Sequence, residues 1–367
     1  MIKVLQVVGS LRLGGLETVA VNYFEHIDRR KYEFTYLVYS EQEGELEKKV
    51  RALGGNIIRI DPPSRNYIKF LKNLRRVIRE IDGLDIIHAH QSFNSGFVML
   101  IAKLEKVSIR IAHSHTSIDA KNISLTKKIY NSLMRMLILI CSTKYVACST
   151  NAGNYLFGKK VFSKSGKVIL NSVKIDKFSF DLKKRNELRE KFALQGKLVI
   201  GHTGTLNSVK NQSFILKIMK HVIKKNRESI LILIGDGPDK KLLERQVTQL
   251  GIEKNVLFLG LQKNVEDFLM AMDIFIFPSK HEGLGIALIE AQVSGLSCII
   301  SDTIPHEAVI NKNVRQLSLN NEPEKWALEV TSNMVNDRRN IISEELFQYS
   351  PELVAKDLYD IYKKNRE

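Results

Sequence analysis

Phe277-Pro278-Ser279-Lys280-His281-Glu282-Gly283-Leu284-Gly285-Ile286-Ala287-Leu288-Ile289-Glu290-Ala291 joins the end of an apolar run to a segment of helical period. Pro278 and Ser279 end a strand, Gly283 and Gly285 permit close backbone approach, and a helix beginning near Leu284 turns its free amides toward whatever binds there. A strand-to-helix turn of this kind is an anion site. Glu282, just before the helix, is placed to accept a hydrogen bond from a sugar hydroxyl, and Glu290, two turns later, from the hydroxyls of a nucleotide ribose. Taken singly, Glu282 reads as a helix-start acid favoured by the dipole and Glu290 as a solvated helix residue. The two carboxylates, eight positions apart around a glycine-rich turn, point together to a site.

Outward from this stretch, short β-branched runs alternate with longer helical segments, the pattern of parallel strands joined by helices. Strands are expected at Leu198 to His202, Ile230 to Ile234, Val256 to Leu259, Ile274 to Phe277, Cys298 to Ser301 and Gln316 to Leu319. An earlier set runs through Ile2 to Val8, Phe34 to Tyr39, Asn56 to Ile60, Asp85 to Ala89, Arg110 to His113, Lys144 to Cys148 and Val168 to Leu170. The fold class is α/β, with two Rossmann-like doubly wound domains facing one another across a cleft. Domains are expected at 1–175 and 197–340, with a charged linker at 176–196 and a helical segment at 341–367. Ligands of open α/β sheets sit beyond the carboxyl ends of the strands, where the motifs lie.

The chain has 367 residues, 44% hydrophobic and 26% charged, which suits two ordinary cores and excludes disorder. Its three cysteines, Cys141, Cys148 and Cys298, have neither disulfide-framework nor zinc-site spacing, so a reducing compartment is expected. The start enters a strand-like run without a basic leader, and no apolar stretch reaches the roughly 18 residues of a spanning helix. A cytoplasmic location is expected. Residues 1–175 hold 28 Lys and Arg against 14 Asp and Glu, and the remainder 28 against 26, so the net charge of +16 belongs to the first half. The segments Tyr67 to Arg79 and Lys127 to Arg135 carry basic residues beside apolar ones. Peripheral contact with an anionic membrane is expected from them; the bland reading packs both stripes on the first sheet. No groove-reading helix or aromatic-interleaved basic module accompanies the charge, which disfavours nucleic acid. No D-x-D occurs, and Glu41, Glu43, Glu45 and Glu47 alternate as a solvated surface does. Neither a metal nor a cofactor is expected. The spacing of Gly9, Gly14 and Gly15 does not fit a dinucleotide fingerprint.

The stretch around Glu282 resembles the signature of retaining glycosyltransferases of the two-domain GT-B fold, specifically family 4, the group that builds bacterial capsular polysaccharides, exopolysaccharides and glycolipids. The similarity extends over nearly the full chain. The family's E-x7-E pair maps onto Glu282 and Glu290, and Gly235-Asp236-Gly237-Pro238 is similar to its G-x-G-P turn beside the nucleotide. The resemblance implies a metal-independent hexosyltransferase that uses a nucleotide-diphosphate sugar and a saccharide or lipid-linked acceptor. It assigns Glu282, Lys210 and His113 to the reacting sugar and diphosphate. Substrate binding falls to Gly14, Gly15, Thr205, Gly235, Gly283, Leu284, Gly285 and Glu290. The family usually has an Arg five residues before the Lys, where this chain has Thr205, so a non-catalytic sugar-nucleotide-binding subunit stays open as the alternative. An epimerase on the same fold would need its own acid and base pair. His115 is expected near the acceptor or behind His113, while His88 and His90 read as structural.

Overall fold

The computed structural model describes residues 1–12, 14–117, 124–332 and 343–363. The chain divides into two compact units, one of residues 1–172 joined by the described residues from Gln348 onward, the other of residues 173–347.

In the first unit β1 (Ile2–Gly9), β2 (Tyr32–Val38), β3 (Asn56–Arg59), β4 (Leu84–Ala89), β5 (Ile109–Ser114), β6 (Lys144–Ala147) and β7 (Gly166–Val168) form a parallel sheet ordered β3-β2-β1-β4-β5-β6-β7. The chain order reverses beside β1, between β1 and β4, the switch point at which such sheets bind ligands. Central strands are covered on both faces, which is why Val4, Leu5, Val7, Ile86 and Ile87 make continuous apolar runs rather than alternating ones.

The second unit repeats the plan with β8 (Val199–Thr203), β9 (Ile230–Ile234), β10 (Val256–Gly260), β11 (Ile274–Phe277), β12 (Ser297–Ser301) and β13 (Val314–Leu317), ordered β10-β9-β8-β11-β12-β13. Its core includes Ile200, Leu231, Leu233, Ile276 and Ile299 of the sheet, with Leu216, Met219 and Trp326 from helices packed on it.

Two divisions differ from the sequence expectation. The segment expected as a linker at 176–196 is part of the second unit: its helix Leu182–Lys191 carries Arg185 and Arg189, which donate to the Met270, Met272 and Ala271 carbonyls and pair with Asp273. Two of the charges that made it look like a connector, Arg185 and Arg189, are spent on these internal bonds. The C-terminal stretch expected as a segment of its own, 341–367, is divided: helix Pro351–Tyr362 packs on helix Gly15–His26 of the first unit and buries Val354, Leu358, Ile361 and Tyr362 there. The part of that stretch at 341–342 and 364–367 lies outside the described residues.

Candidate active site

In the second unit the site grows from three loops at the carboxyl ends of adjacent strands. Gly204 donates to the Ile234 carbonyl and Gly235 to that of Gly260, which ties the turns after β8, β9 and β10 together. Gly235 sits at φ +134°, and a Cβ on it would lie 2.0 Å from the Gly204 oxygen, so only glycine closes this junction.

The loop after β8 is held by Asn207, whose Oδ1 accepts from the Val209 and Lys210 amides at 3.1 and 3.0 Å. Lys280 donates from its amide to the Val209 carbonyl and Asn211 from its side chain to that of Pro278, which fastens this loop to the one after β11. The result brings together two residues 72 positions apart: Lys210 Nζ donates to Glu282 Oε1 at 2.6 Å, with the ammonium 5.1 Å from the centroid of the Phe277 ring. Glu282 is 8% exposed. A carboxylate this deep is stabilised by its cation partner, and the pair holds opposite charges at the mouth of the sheet. Beneath it, His202 donates from Nδ1 to the Ile276 carbonyl and accepts at Nε2 from Gln212, whose amide also holds the Thr205 carbonyl. Burial lowers the His202 pKa to about 4, so the ring is a neutral strut. Asn207, His202 and Gln212 were not singled out in the sequence; a buried histidine inside the glycine-rich run was the available signal.

The helix after Glu282 starts at Ile286, two residues later than expected, because Gly285 takes the left-handed conformation at φ +94° and serves as its N-cap without a side-chain cap. Its first amides are therefore open to an anion. Leu284 is buried and offers a ligand only its backbone, while Thr205 is exposed on the loop. Gly283 is absent from the left-handed region. Glu290 is half-buried within the helix Ile286–Val293. Burial, reinforced by Glu266 and opposed by Lys177, raises its pKa to about 8.

The first unit gathers different chemistry. Gly14 and Gly15 open helix Gly15–His26, again without a side-chain cap; Gly14 has an extended backbone at φ −151° that other residues adopt as well. Glu17 in the first turn accepts from Ser10 Oγ at 3.0 Å, and burial raises its pKa. His113 is the penultimate residue of β5, fully buried, and His115 follows the strand half-buried. His88 and His90, read as structural, join them: His88 Nε2 lies 3.0 Å from His113 Nδ1, and His90 Nδ1 lies 2.7 Å from His115 Nε2. The His-x-His spacing on two neighbouring strands was the signal for this cluster, visible only once β4 and β5 are paired. Burial holds all four rings neutral, with His88 and His115 lowered to about 3. His88, His90 and His113 are the one group among the described residues with ligand atoms close enough for a metal ion. Five of their six ring nitrogens are already spent in hydrogen bonds, and no carboxylate joins those bonds, so the cluster reads as a neutral hydrogen-bond network.

Known proteins share this organisation. The profile described as Glycosyltransferase Family 4 matches residues 13–177, and the one described as Glycosyl transferases group 1 matches residues 184–345. The chain is 30% identical over 373 residues to EpsF of Bacillus subtilis, named a glycosyltransferase, covering 100% of this chain and 97% of that protein. It is 28% identical over 371 residues to CapH of Staphylococcus aureus, a capsular polysaccharide biosynthesis glycosyltransferase, covering 99% of each. Among solved structures, Anabaena HepE in complex with UDP-glucose superposes with a TM-score of 0.84 at 16% identity, over 98% of this chain and 99% of that one. With two parallel-sheet units, both family profiles and relatives aligned end to end, the chain belongs to the family 4 glycosyltransferases of GT-B fold.

Proposed function

We propose that the protein transfers a hexose from a nucleotide-diphosphate sugar to a saccharide or lipid-linked saccharide, with retention of anomeric configuration, during assembly of a bacterial surface polysaccharide. The observation that carries this reading is the Lys210–Glu282 pair beside the uncapped start of helix Ile286–Val293. A diphosphate at that helix start receives the open amides and the Lys210 ammonium, which stabilise the charge that grows as the bond from C1 to phosphate oxygen breaks. Glu282 then accepts from a hydroxyl of the sugar and Glu290 from the ribose, and His113 is proposed to meet a sugar hydroxyl. The acceptor oxygen forms its bond to C1 on the face the phosphate leaves, and its proton passes to the departing phosphate oxygen. Lys210 and the helix amides meet the leaving charge, so no divalent metal is required. HepE was solved with UDP-glucose, which supports a nucleotide sugar as donor here. The test incubates the protein with UDP-, GDP- and ADP-sugars in chelator and follows release of nucleotide diphosphate; failure of every donor to bind would overturn the reading.

Lipid-linked acceptors suit the outer surface of the first unit. Helix Tyr67–Glu80 buries Phe70, Leu74, Val77 and Ile78, so its stripe packs on its own unit. Helix Leu125–Cys141 buries only Met134, Ile138 and Cys141 and leaves Leu125, Ile129, Leu133, Met136 and Ile140 exposed beside Lys127 and Lys128. An apolar stripe with basic neighbours fits an anionic bilayer surface, at the cytoplasmic face of the membrane. No helix among the described residues is long and apolar enough to cross a membrane. Loss of vesicle binding in Ile129→Glu would support this contact, and unchanged binding would remove it.

Thr205 favours a second reading. An exposed hydroxyl in place of a guanidinium leaves one phosphate clamp, as in a subunit that binds a nucleotide sugar without turning it over. Binding without turnover, with every acceptor offered, would select it.

A further inference from the structure

The histidine cluster is wired to the C-terminal helix through one amide. Gln6 stands on β1 in register with His88. Its Nε2 donates to Tyr362 Oη at 2.8 Å, and its Oε1 lies 2.7 Å from His90 Nε2. Tyr362 Oη in turn lies 2.9 Å from His88 Nδ1. The roles follow from counting protons on neutral rings.

Gln6 Oε1 can only accept, so His90 carries its proton on Nε2 and its Nδ1 accepts from His115 Nε2–H. That leaves His115 Nδ1 an open lone pair. On the other branch Tyr362 oxygen receives the Gln6 amide hydrogen and sends its own proton to His88 Nδ1. His88 then holds a proton on Nε2 and donates it to His113 Nδ1, which leaves His113 Nε2 as an N–H donor. Burial keeps the tyrosine protonated and the rings neutral, so no link is broken by ionisation. Both free ends, His113 Nε2 and His115 Nδ1, are buried without a hydrogen-bond partner among the described residues. Buried polar atoms of that kind call for an explanation, and two adjacent ones of opposite polarity match a sugar, which offers both hydroxyl hydrogens and oxygens.

We infer that Gln6 and Tyr362 are positioning residues that fix the tautomers of both histidine branches, so that His113 presents a hydrogen-bond donor and His115 an acceptor to hydroxyl-bearing substrate. The inference rests on the reading that His113 meets a sugar. It also gives the returning C-terminal helix a role in the site, since its last turn supplies the proton that sets one branch.

The full-length protein with ring-15N histidine, read by long-range proton–nitrogen correlation, tests it. All four rings are expected protonated at Nε2 and bare at Nδ1. In Tyr362→Phe, His88 and His113 should average both tautomers while His90 and His115 keep theirs, which also shows that the variant is folded. The kcat of donor turnover should fall roughly tenfold, the scale of one buried hydrogen bond, with nucleotide affinity unchanged. A proton on Nδ1 of any of the four rings in the unsubstituted protein overturns the inference, as does Tyr362→Phe with unaltered tautomers or unaltered kcat. If the unsubstituted protein turns over no donor, the proposed reaction fails instead, and the tautomer pattern alone judges the relay.

Discussion

The two units share a strand order and place their functional groups in opposite electrostatic states. At the carboxyl end of the second sheet a buried carboxylate and an ammonium face each other at 2.6 Å. At the carboxyl end of the first, four histidines stack as neutral rings, with His113 and His115 centroids 4.0 Å apart. The same scaffold thus holds a charged pair in one unit and an uncharged ring cluster in the other, which the proposed function assigns to a diphosphate and to sugar hydroxyls. The difference lies in what each sheet end can offer: loops and a helix start without a side-chain cap in one, and in the other histidine rings packed against Tyr23 and against Tyr362 of the C-terminal helix.

Removing the charged pair should break this contrast most severely. Glu282→Ala is expected to lower turnover by about a thousandfold, the scale of a lost transition-state contact, measured as nucleotide diphosphate released. Lys210→Ala should act similarly and also lower the unfolding midpoint, because it leaves Glu282 buried without its cation. His113→Ala is expected to cost roughly a hundredfold in turnover while calorimetry finds nucleotide diphosphate binding unchanged. Equal loss of nucleotide affinity would show that the division of labour between the units is wrong.

Acidity separates the units further. Glu290 titrates at about 8 against an ordinary 4.5. Between those values the native state keeps a proton that the unfolded chain has lost, so this group's contribution to stability falls as pH rises through the window. Glu290→Gln should therefore gain on the unsubstituted protein from pH 4.5 to 8, by about 1 kcal/mol for a half-buried group screened by solvent, read by denaturant titration at several pH values. Donor binding should tighten from pH 7 to 9, because ribose hydroxyls favour the ionised carboxylate. The histidines, lowered to about 3 or further, should add no step near 6.5. The smallest expected effect is a gain: Thr205→Arg should raise donor affinity several-fold, on the scale of one added charge-assisted contact.

Much of this was legible before the structure. Each of the thirteen strands overlaps a strand expected from the sequence, and the central ones are clearest because parallel strands covered on both faces make short, continuous apolar runs. The largest misplacements are β7, expected at Val168 to Leu170 and found at Gly166–Val168, and β13, expected at Gln316 to Leu319 and found at Val314–Leu317, both edge strands whose burial is weak. The glycine-rich turn at Glu282 was visible because backbone geometry and residue type coincide there. What stayed hidden depends on long-range partners. An amphipathic helix such as Pro351–Tyr362 does not say which sheet it covers, and the charges of Leu182–Lys191 look solvated until Asp273 is beside them. His88 and His90 become part of a site only when strand pairing brings His113 and His115 next to them.

The most direct test of the account is the configuration of the first sugar released from the nucleotide sugar that the protein turns over, followed by proton NMR in chelator before mutarotation. The account predicts metal-independent release with the anomeric configuration of the donor, abolished by Glu282→Ala. Release of the inverted anomer, or turnover that Glu282→Ala leaves intact, would contradict it.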